Sequence, residues 1–188
     1  MNNQTRGRLI LLGIAAAFAL PIATAMFFYF SDNGWRPGEY TQRGVLITPP
    51  RTLSDTALTD AQPAPQFREV WSLVVPAGRN CDDVCADALD KIRQTRRWLG
   101  PKITRMQTVF LPTDSAALTP ELAARHPQLI TPGDSARAEA RPVIGDYTNG
   151  DIFLVDPFGN VMMLYPAGTD MGDIRKDLGH LLKLSTIG

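Results

Sequence analysis

The sequence predicts an α/β domain, with a central mixed sheet and flanking helices, behind one N-terminal membrane-spanning helix. Two observations lead to this prediction. Residues 9–30 are almost entirely apolar and carry no charge, and from residue 67 onward β-prone apolar runs alternate with segments of helical periodicity. We therefore divide the chain into a short N-terminus (1–8), a membrane helix (9–30), an extended linker (31–66) and a folded domain (67–188).

The apolar N-terminal segment is long enough to cross a bilayer. A helix over residues 9–30 spans ~33 Å, which matches the ~30 Å hydrocarbon core. Arg6 and Arg8 precede it, so the positive-inside rule places the N-terminus in the cytoplasm and exports the rest. A cleaved signal peptide is the alternative, because residues 23–25 (A-T-A) have the form of a cleavage site. Apolar residues continue through Phe30, which favours an uncleaved anchor.

The charge balance argues against a nucleic-acid partner. The chain carries 19 basic and 19 acidic residues, a formal net charge of zero. Binding to DNA or RNA needs a clustered basic surface, which this balance does not indicate. We expect the lipid bilayer as one partner and no nucleic acid.

The first elements after the membrane helix follow from local patterns. The linker is rich in Gly, Pro and Thr and contains one short strand candidate at residues 44–47. Residues 70–75 (VWSLVV) form a compact apolar run that predicts a buried strand. A helix is predicted over residues 82–99, and a Gly-Pro pair then ends it. Its apolar residues recur on one face: Val84, Ala88, Ile92 and Leu99, with Leu89 at the edge.

The second half of the domain supplies the remaining elements. Residues 103–111 predict another strand, and Thr119 is expected to cap a short helix over residues 120–125. Residues 131–142 are polar and are predicted as a loop. Two strands joined by a D-P-F-G turn and a closing amphipathic helix follow, over residues 151–155, 160–165 and 170–184. The order β-α-β, hairpin, α is that of a minimal thioredoxin-type domain.

The only two cysteines, Cys81 and Cys85, lie at the junction between the predicted strand and helix. Their spacing places them on one helix face with Cα atoms ~6 Å apart, within the range that a disulfide can close. The helix N-terminus carries a partial positive charge, which favours the thiolate of Cys81. A thiolate is what both disulfide exchange and soft-metal binding require.

A purely structural disulfide is the alternative role for this pair. A bond that closes so small a loop restricts the unfolded chain little, because that effect grows with loop length. The pattern therefore favours a redox or metal-binding role for Cys81 and Cys85, and it leaves the choice between those two roles open.

Three motifs occur in order along the predicted domain: C-D-D-V-C at 81–85, T-P-E-L at 119–122 with H-P at 126–127, and I-F-L-V-D-P-F-G at 152–159. Together they resemble the Sco/SenC family, membrane-anchored thioredoxin-fold proteins that help to assemble the copper site of cytochrome c oxidase. The family's corresponding motifs are C-P-D-V-C, T-P-E, H-P and D-P-x-G. The resemblance covers about residues 67–184.

The chain departs from the family pattern at two places. Asp82 replaces the proline that follows the first family cysteine. The family's copper-binding histidine comes just before the strand at 151–155, where this chain reads G-D-Y-T-N-G over residues 145–150. The matching position is about Thr148, and neither His126 nor His180 is expected to replace the histidine as a ligand.

The resemblance implies an accessory protein for cytochrome c oxidase assembly, anchored in the bacterial inner membrane with its domain in the periplasm. Cys81 and Cys85 would be the catalytic residues of thiol–disulfide exchange, and the partner would be an oxidase subunit or a copper-site assembly factor. One alternative is a Cu(I) chaperone that binds the metal through the same cysteines. Candidates for a third soft ligand are Met162, Met163 and Met171. The other alternative is a scaffold protein that has lost the chemistry.

Overall fold

The computed structural model describes residues 3–30, 42–53 and 67–187. The chain divides into two compact units, Met1–Tyr40 and Thr41–Gly188. The first unit contains helix α1 (Asn3–Phe30). Its segment Gln4–Phe30 is long and apolar enough to cross a membrane, and none of it is buried by protein. The predicted apolar helix is therefore present.

The second unit contains one six-stranded mixed sheet, in the order β1-β6-β5-β2-β3-β4. Strand β2 lies in the middle, parallel to β3 and antiparallel to β5. Strands β5 and β6 form an antiparallel hairpin, as predicted. The strands are β1 (Val45–Thr52), β2 (Trp71–Ala77), β3 (Met106–Pro112), β4 (Leu129–Ile130), β5 (Ile152–Val155) and β6 (Asn160–Tyr165).

Helices cover both faces of this sheet. They are α2 (Asp83–Trp98), α3 (Pro120–Arg125), α4 (Asp134–Ile144) and α5 (Met171–Leu184), with 3-10 turns at Gly100–Arg105 and Ser115–Ala117. Side chains of β2 alternate between two buried clusters. Leu73 and Val75 pack in a cluster with residues of α2 and α5, whereas Val74 packs in a second cluster with α4. The sheet is therefore buried on both sides, which explains the continuous apolar run of β2.

The predicted linker contributes to the sheet. Strand β1 lies inside the range 31–66 and pairs antiparallel with β6, so the folded unit begins earlier than the predicted residue 67. The strand candidate at 44–47 is correct but too short. The Pro-Pro pair inside β1 hides the strand pattern, and it is tolerated because β1 is an edge strand. The rest of the predicted linker lies outside the described residues.

The segment predicted as a loop over residues 131–142 contains helix α4 instead. The segment is predicted as a loop because it is polar and contains Pro142. The positions that are buried in the structure nevertheless follow a helical pattern. Ala136, Ala140 and Ile144 recur every four residues and pack in one cluster against the sheet. Pro142 lies in the last turn, where it removes one backbone hydrogen bond close to the helix end.

The apolar face predicted for α2 is shifted by one residue at its start. Val84 was expected to face the core, but it is about half exposed. Cys85, Leu89 and Ile92 are the buried residues there, together with Ala88. The helix therefore turns its second cysteine, rather than its valine, toward the core.

Candidate redox site

The cysteine pair lies at the junction between the central strand and the helix that packs on it. Strand β2 ends at Ala77, a short loop follows, and α2 begins at Asp83. A disulfide joins Cys81 in the loop to Cys85 in the first turn of the helix, with Cα atoms 5.2 Å apart. The structure thus brings the two predicted site residues together.

The two sulfur-bearing residues differ in exposure. Cys85 is fully buried in the cluster between the sheet, α2 and α5. Cys81 is only partly buried and packs on the edge of that cluster. A partner thiol can therefore approach Cys81, while Cys85 is shielded by the core.

Asp82 caps the helix between the two cysteines. Its Oδ1 accepts a hydrogen bond of 2.9 Å from the backbone N–H of Cys85, and its Oδ2 accepts one of 3.0 Å from the side-chain amide of Asn149. The hydrogen bond from Cys85, followed by that from Asn149, lowers the pKa of Asp82 below its ordinary value. A negative charge therefore stands next to Cys81 at neutral pH.

The loop of residues 145–150, here called the facing loop, lies against this junction. It contains Asn149, which donates to Asp82, and Gly150, which lies close to Val84. Gly150 has φ +90°, and a Cβ atom there would come within 2.6 Å of the Val84 side chain. Only glycine fits this approach and this backbone conformation without strain.

A buried carboxylate fixes the facing loop. Asp151 is 6% exposed and accepts hydrogen bonds from the backbone N–H groups of Thr148 (2.8 Å) and Ala167 (2.9 Å). It joins the facing loop to the turn that follows β6. This role is not among the sequence-based predictions, although an aspartate just before a buried strand indicates a side chain that caps neighbouring backbone groups.

No histidine lies in the facing loop. Thr148, close to the position that the sequence resemblance matches with the family histidine, is exposed. His126 is buried, with its Nε2 atom 3.8 Å from a carboxylate oxygen of Asp90 in the middle of α2. Burial lowers the pKa of His126, and Asp90 opposes this shift. His180 is exposed on α5.

The donor atoms at the junction suit a soft metal only in part. Two cysteine sulfurs fit Cu(I) when reduced. Within the described residues, no group of three or more His, Cys, Asp or Glu side chains is arranged to hold a metal ion. Of the three candidate methionines, Met163 is buried in the same core cluster as Cys85, and Met162 and Met171 are partly buried.

The comparisons with known proteins agree with this fold. Residues 71–185 match the family model described as "Transmembrane-like, thioredoxin-like, C-terminal domain". Among curated protein sequences, none matches the chain at a significant level.

Several solved structures are similar to the chain. Apo Sco1 from Thermus thermophilus has a TM-score of 0.59 and 22% identity, over 77% of this chain and 99% of that chain. Yeast Sco1 with copper bound has a TM-score of 0.55 and 19% identity, over 79% and 97%. A putative thiol:disulfide interchange protein DsbE from Chlorobium tepidum has 0.53 and 14%, over 72% and 97%. The resemblance to Sco proteins is thus confirmed in the fold.

Proposed function

The chain belongs to the family of transmembrane-like, thioredoxin-like C-terminal domains, and from this premise we propose that it exchanges disulfides through Cys81 and Cys85. Its role would be that of a Sco-like accessory protein of cytochrome c oxidase assembly. We further propose that α1 anchors it in the bacterial inner membrane, with the sheet domain in the periplasm. There it would keep the copper-binding cysteines of an oxidase subunit reduced.

One observation carries this proposal: the two cysteines at the start of α2 have unequal exposure. In the reduced protein the partly exposed Cys81 thiolate attacks a partner disulfide, which forms a mixed disulfide and releases one partner thiolate. The buried Cys85 thiolate then attacks Cys81, which closes the internal disulfide and releases the second partner thiolate. The partner gains two electrons, and a dithiol reductant must restore this protein.

The copper-bound state of a similar structure favours a second candidate function, a Cu(I) chaperone. Yeast Sco1 has been solved with copper bound, and two thiolates at one helix end are soft ligands of the right kind. The facing loop supplies no histidine, so this candidate requires a third ligand such as Met162. A scaffold without chemistry is the remaining alternative.

The exchange reaction can be tested by trapping its intermediate. The full-length protein in detergent would be reduced and mixed with an oxidase copper-site domain whose cysteines form a disulfide. We expect the wild type to reduce that disulfide, Cys85→Ser to accumulate a mixed disulfide through Cys81, and Cys81→Ser to do neither. Mass spectrometry of the non-reduced products distinguishes these outcomes.

A matched control is Ser72→Ala, which alters a small buried residue on β2 and leaves both cysteines in place. It should react like the wild type. Equal activity in all three cysteine forms would contradict the exchange mechanism. In cells, normal oxidase assembly with both cysteines replaced by serine would instead support the scaffold alternative.

An anaerobic Cu(I) titration of the reduced full-length protein against a competing chelator tests the second candidate. Tight one-to-one binding that disappears in Cys81→Ser would support the chaperone. Absence of competitive binding would leave disulfide exchange or scaffolding.

A further inference from the structure

A cleft on the second half of α2 is lined by positive side chains. We call it the arginine cleft. Its volume is about 180 Å³, and its walls come from α2, from the turn before β3 and from the segment after α3. The lining includes Arg93, Arg96 and Arg97 together with His126 and Gln128, and it contains no carboxylate.

The positive charges of the cleft are only partly compensated. Arg93 is neutralised by Asp90, which lies beside the cleft on the same helix, through a contact of 2.7 Å. Arg96 donates to the backbone oxygen of Met106 and to the side-chain oxygen of Gln128, both neutral acceptors. Burial lowers the pKa of Arg96, because desolvation disfavours its charge. A half-buried guanidinium therefore lacks a negative partner among the residues that the structure describes.

Two further groups of the cleft have unused hydrogen-bonding capacity. Arg97 is exposed, and its guanidinium makes no hydrogen bond or ion pair with the described part of the chain. His126 is 4% exposed, and its Nε2 atom has no hydrogen-bond partner among the described residues. A buried polar atom without a partner is uncommon in folded proteins and indicates a missing water, ion or ligand.

We propose that the arginine cleft binds a small oxyanion, a carboxylate or a phosphate, held between Arg96, Arg97 and His126. An oxyanion supplies what these groups lack, since it accepts several hydrogen bonds and carries the charge opposite to that of the two guanidinium groups. The cleft is smaller than the 300–1,000 Å³ typical of pockets for drug-sized ligands, so a small anion fits its size. This site is separate from the cysteines, which lie at the other end of α2.

Two probes distinguish a phosphate site from a carboxylate site: inorganic phosphate and malonate, a small dicarboxylate. Isothermal titration of the full-length protein in detergent would be carried out with each probe at constant ionic strength. We expect saturable one-to-one binding of at least one probe. Imidazole NMR of the labelled protein should show a shift of the His126 signal that follows the same saturation curve. The signal of the exposed His180 should not follow it.

The variant Arg97→Gln removes an exposed charge and should leave the fold intact. We expect it to weaken binding about tenfold, the effect of losing one charge-assisted contact. Arg96→Lys keeps the charge but loses the planar fork, and it should also weaken binding. Lys183→Gln is the charge-matched control on α5 and should bind like the wild type.

Each outcome is decisive. Phosphate binding alone assigns the site to phosphate groups, malonate binding alone assigns it to carboxylates, and binding of both supports the shared oxyanion chemistry. Lack of saturable binding by either probe overturns the proposal. Equal weakening in Arg97→Gln and Lys183→Gln would show only a general effect of net charge, and it would overturn the proposal as well.

Discussion

The cysteine junction and the facing loop lie against each other, but they have diverged from the Sco pattern to different extents. The junction keeps both cysteines at the strand–helix boundary, joined and unequally exposed. The facing loop contacts that junction through Asn149 and Gly150. It contains no histidine, and the position of the histidine in the family pattern matches about Thr148.

This difference shows that the position of the facing loop against the junction does not depend on the presence of a metal-binding side chain in that loop. The contact between Gly150 and Val84 and the hydrogen bond between Asn149 and Asp82 hold the loop in place without any metal ligand. Disulfide exchange requires only the two cysteines of the junction, whereas the Sco/SenC pattern also has a histidine in the facing loop. This difference is why we propose disulfide exchange ahead of Cu(I) transfer.

The largest effect is expected from adding a methyl group at the contact between the two regions. Gly150→Ala combines a left-handed backbone with a Cβ 2.6 Å from Val84 and 3.2 Å from its carbonyl oxygen. We expect the free energy of unfolding to fall by about 3 kcal/mol, the sum of backbone strain and overpacking. Denaturant unfolding of the full-length protein measures it.

Substitutions at two other glycines distinguish the contribution of backbone strain to this loss of stability from that of the close contact with Val84. Gly168 also has a positive φ (+86°) but faces open space, so Gly168→Ala should cost about 1 kcal/mol from the backbone alone. Gly78 has neither feature, and Gly78→Ala should change stability by less than about 0.5 kcal/mol. Equal losses in Gly150→Ala and Gly168→Ala would contradict a tight contact with Val84.

A second prediction concerns the carboxylate that holds the facing loop. Asp151 accepts hydrogen bonds from two backbone N–H groups. Asp151→Asn keeps the side-chain shape but points an amide donor at one of these two N–H groups. We expect a loss of about 2 kcal/mol in the free energy of unfolding. Asp87→Asn is the control, because it breaks only a surface pair with Lys91 and should cost less than about 0.5 kcal/mol. Similar losses in both variants would contradict the proposed role of Asp151.

The sequence predicted the junction well and the facing loop poorly, for a physical reason. Two cysteines four residues apart at the start of an amphipathic segment are predicted to lie close together, because a helix fixes the distance between residues on neighbouring turns. The contacts that hold the facing loop in place join residues far apart in the chain: Asn149 of the loop to Asp82, and the adjacent Asp151 to Ala167. Nothing in the local pattern of residues 145–150 specifies those partners.

Contacts between distant residues also account for the two elements that the sequence predicted wrongly, β1 and α4. Strand β1 is stabilised by its pairing with β6, more than a hundred residues later, and two prolines weaken its own signal. Helix α4 is mostly polar, and only its packing against the sheet shows which three positions form its apolar face. Local patterns were sufficient to place α2, β5, β6 and α5, although the predicted apolar face of α2 is wrong at Val84.

A third prediction concerns a variant that adds a histidine to the facing loop, near the position of the copper-binding histidine in the family pattern. Thr148 is exposed, and its hydrogen bonds come from its backbone: its N–H donates to the side chain of Asp151, and its carbonyl oxygen accepts from the backbone N–H of Asp151. Thr148→His therefore keeps these backbone bonds and adds an imidazole to the facing loop, next to Asn149, which bonds to Asp82. We expect the affinity of the reduced protein for Cu(I) to rise at least about tenfold, which corresponds to ~1.4 kcal/mol. Chelator competition under anaerobic conditions measures this change.

The control for this variant is Thr186→His. Thr186 lies between Ser185 and Ile187, whose backbone oxygens accept from Arg105, at the end of the sheet where β3 begins. A histidine there should leave the Cu(I) affinity unchanged. An equal rise in both variants would indicate nonspecific binding by the added imidazole, and no rise in Thr148→His would show that the loop position does not reach the metal.

The smallest effect is expected at Asp82, which links the two regions. The lowered pKa of its carboxyl means that its contribution to stability is present above the ordinary aspartate value of 3.8 and is lost as the pH falls through the lower folded value. Asp82→Asn should remove that acid-dependent part, so the melting temperature should depend less on pH in this window. Thermal melts of wild type and variant across acid pH measure the difference.

Asp82→Asn also tests whether this carboxylate restrains the chemistry of the junction. Removing the charge next to Cys81 should make its thiolate form at lower pH, because a neighbouring negative charge disfavours a thiolate. The shift should be modest, since Asp82 is exposed and salt screens its charge. Alkylation rates of the reduced protein against pH report it, with Asp87→Asn as the control. Coinciding profiles for Asp82→Asn and wild type would show that Asp82 holds the facing loop without tuning the cysteine.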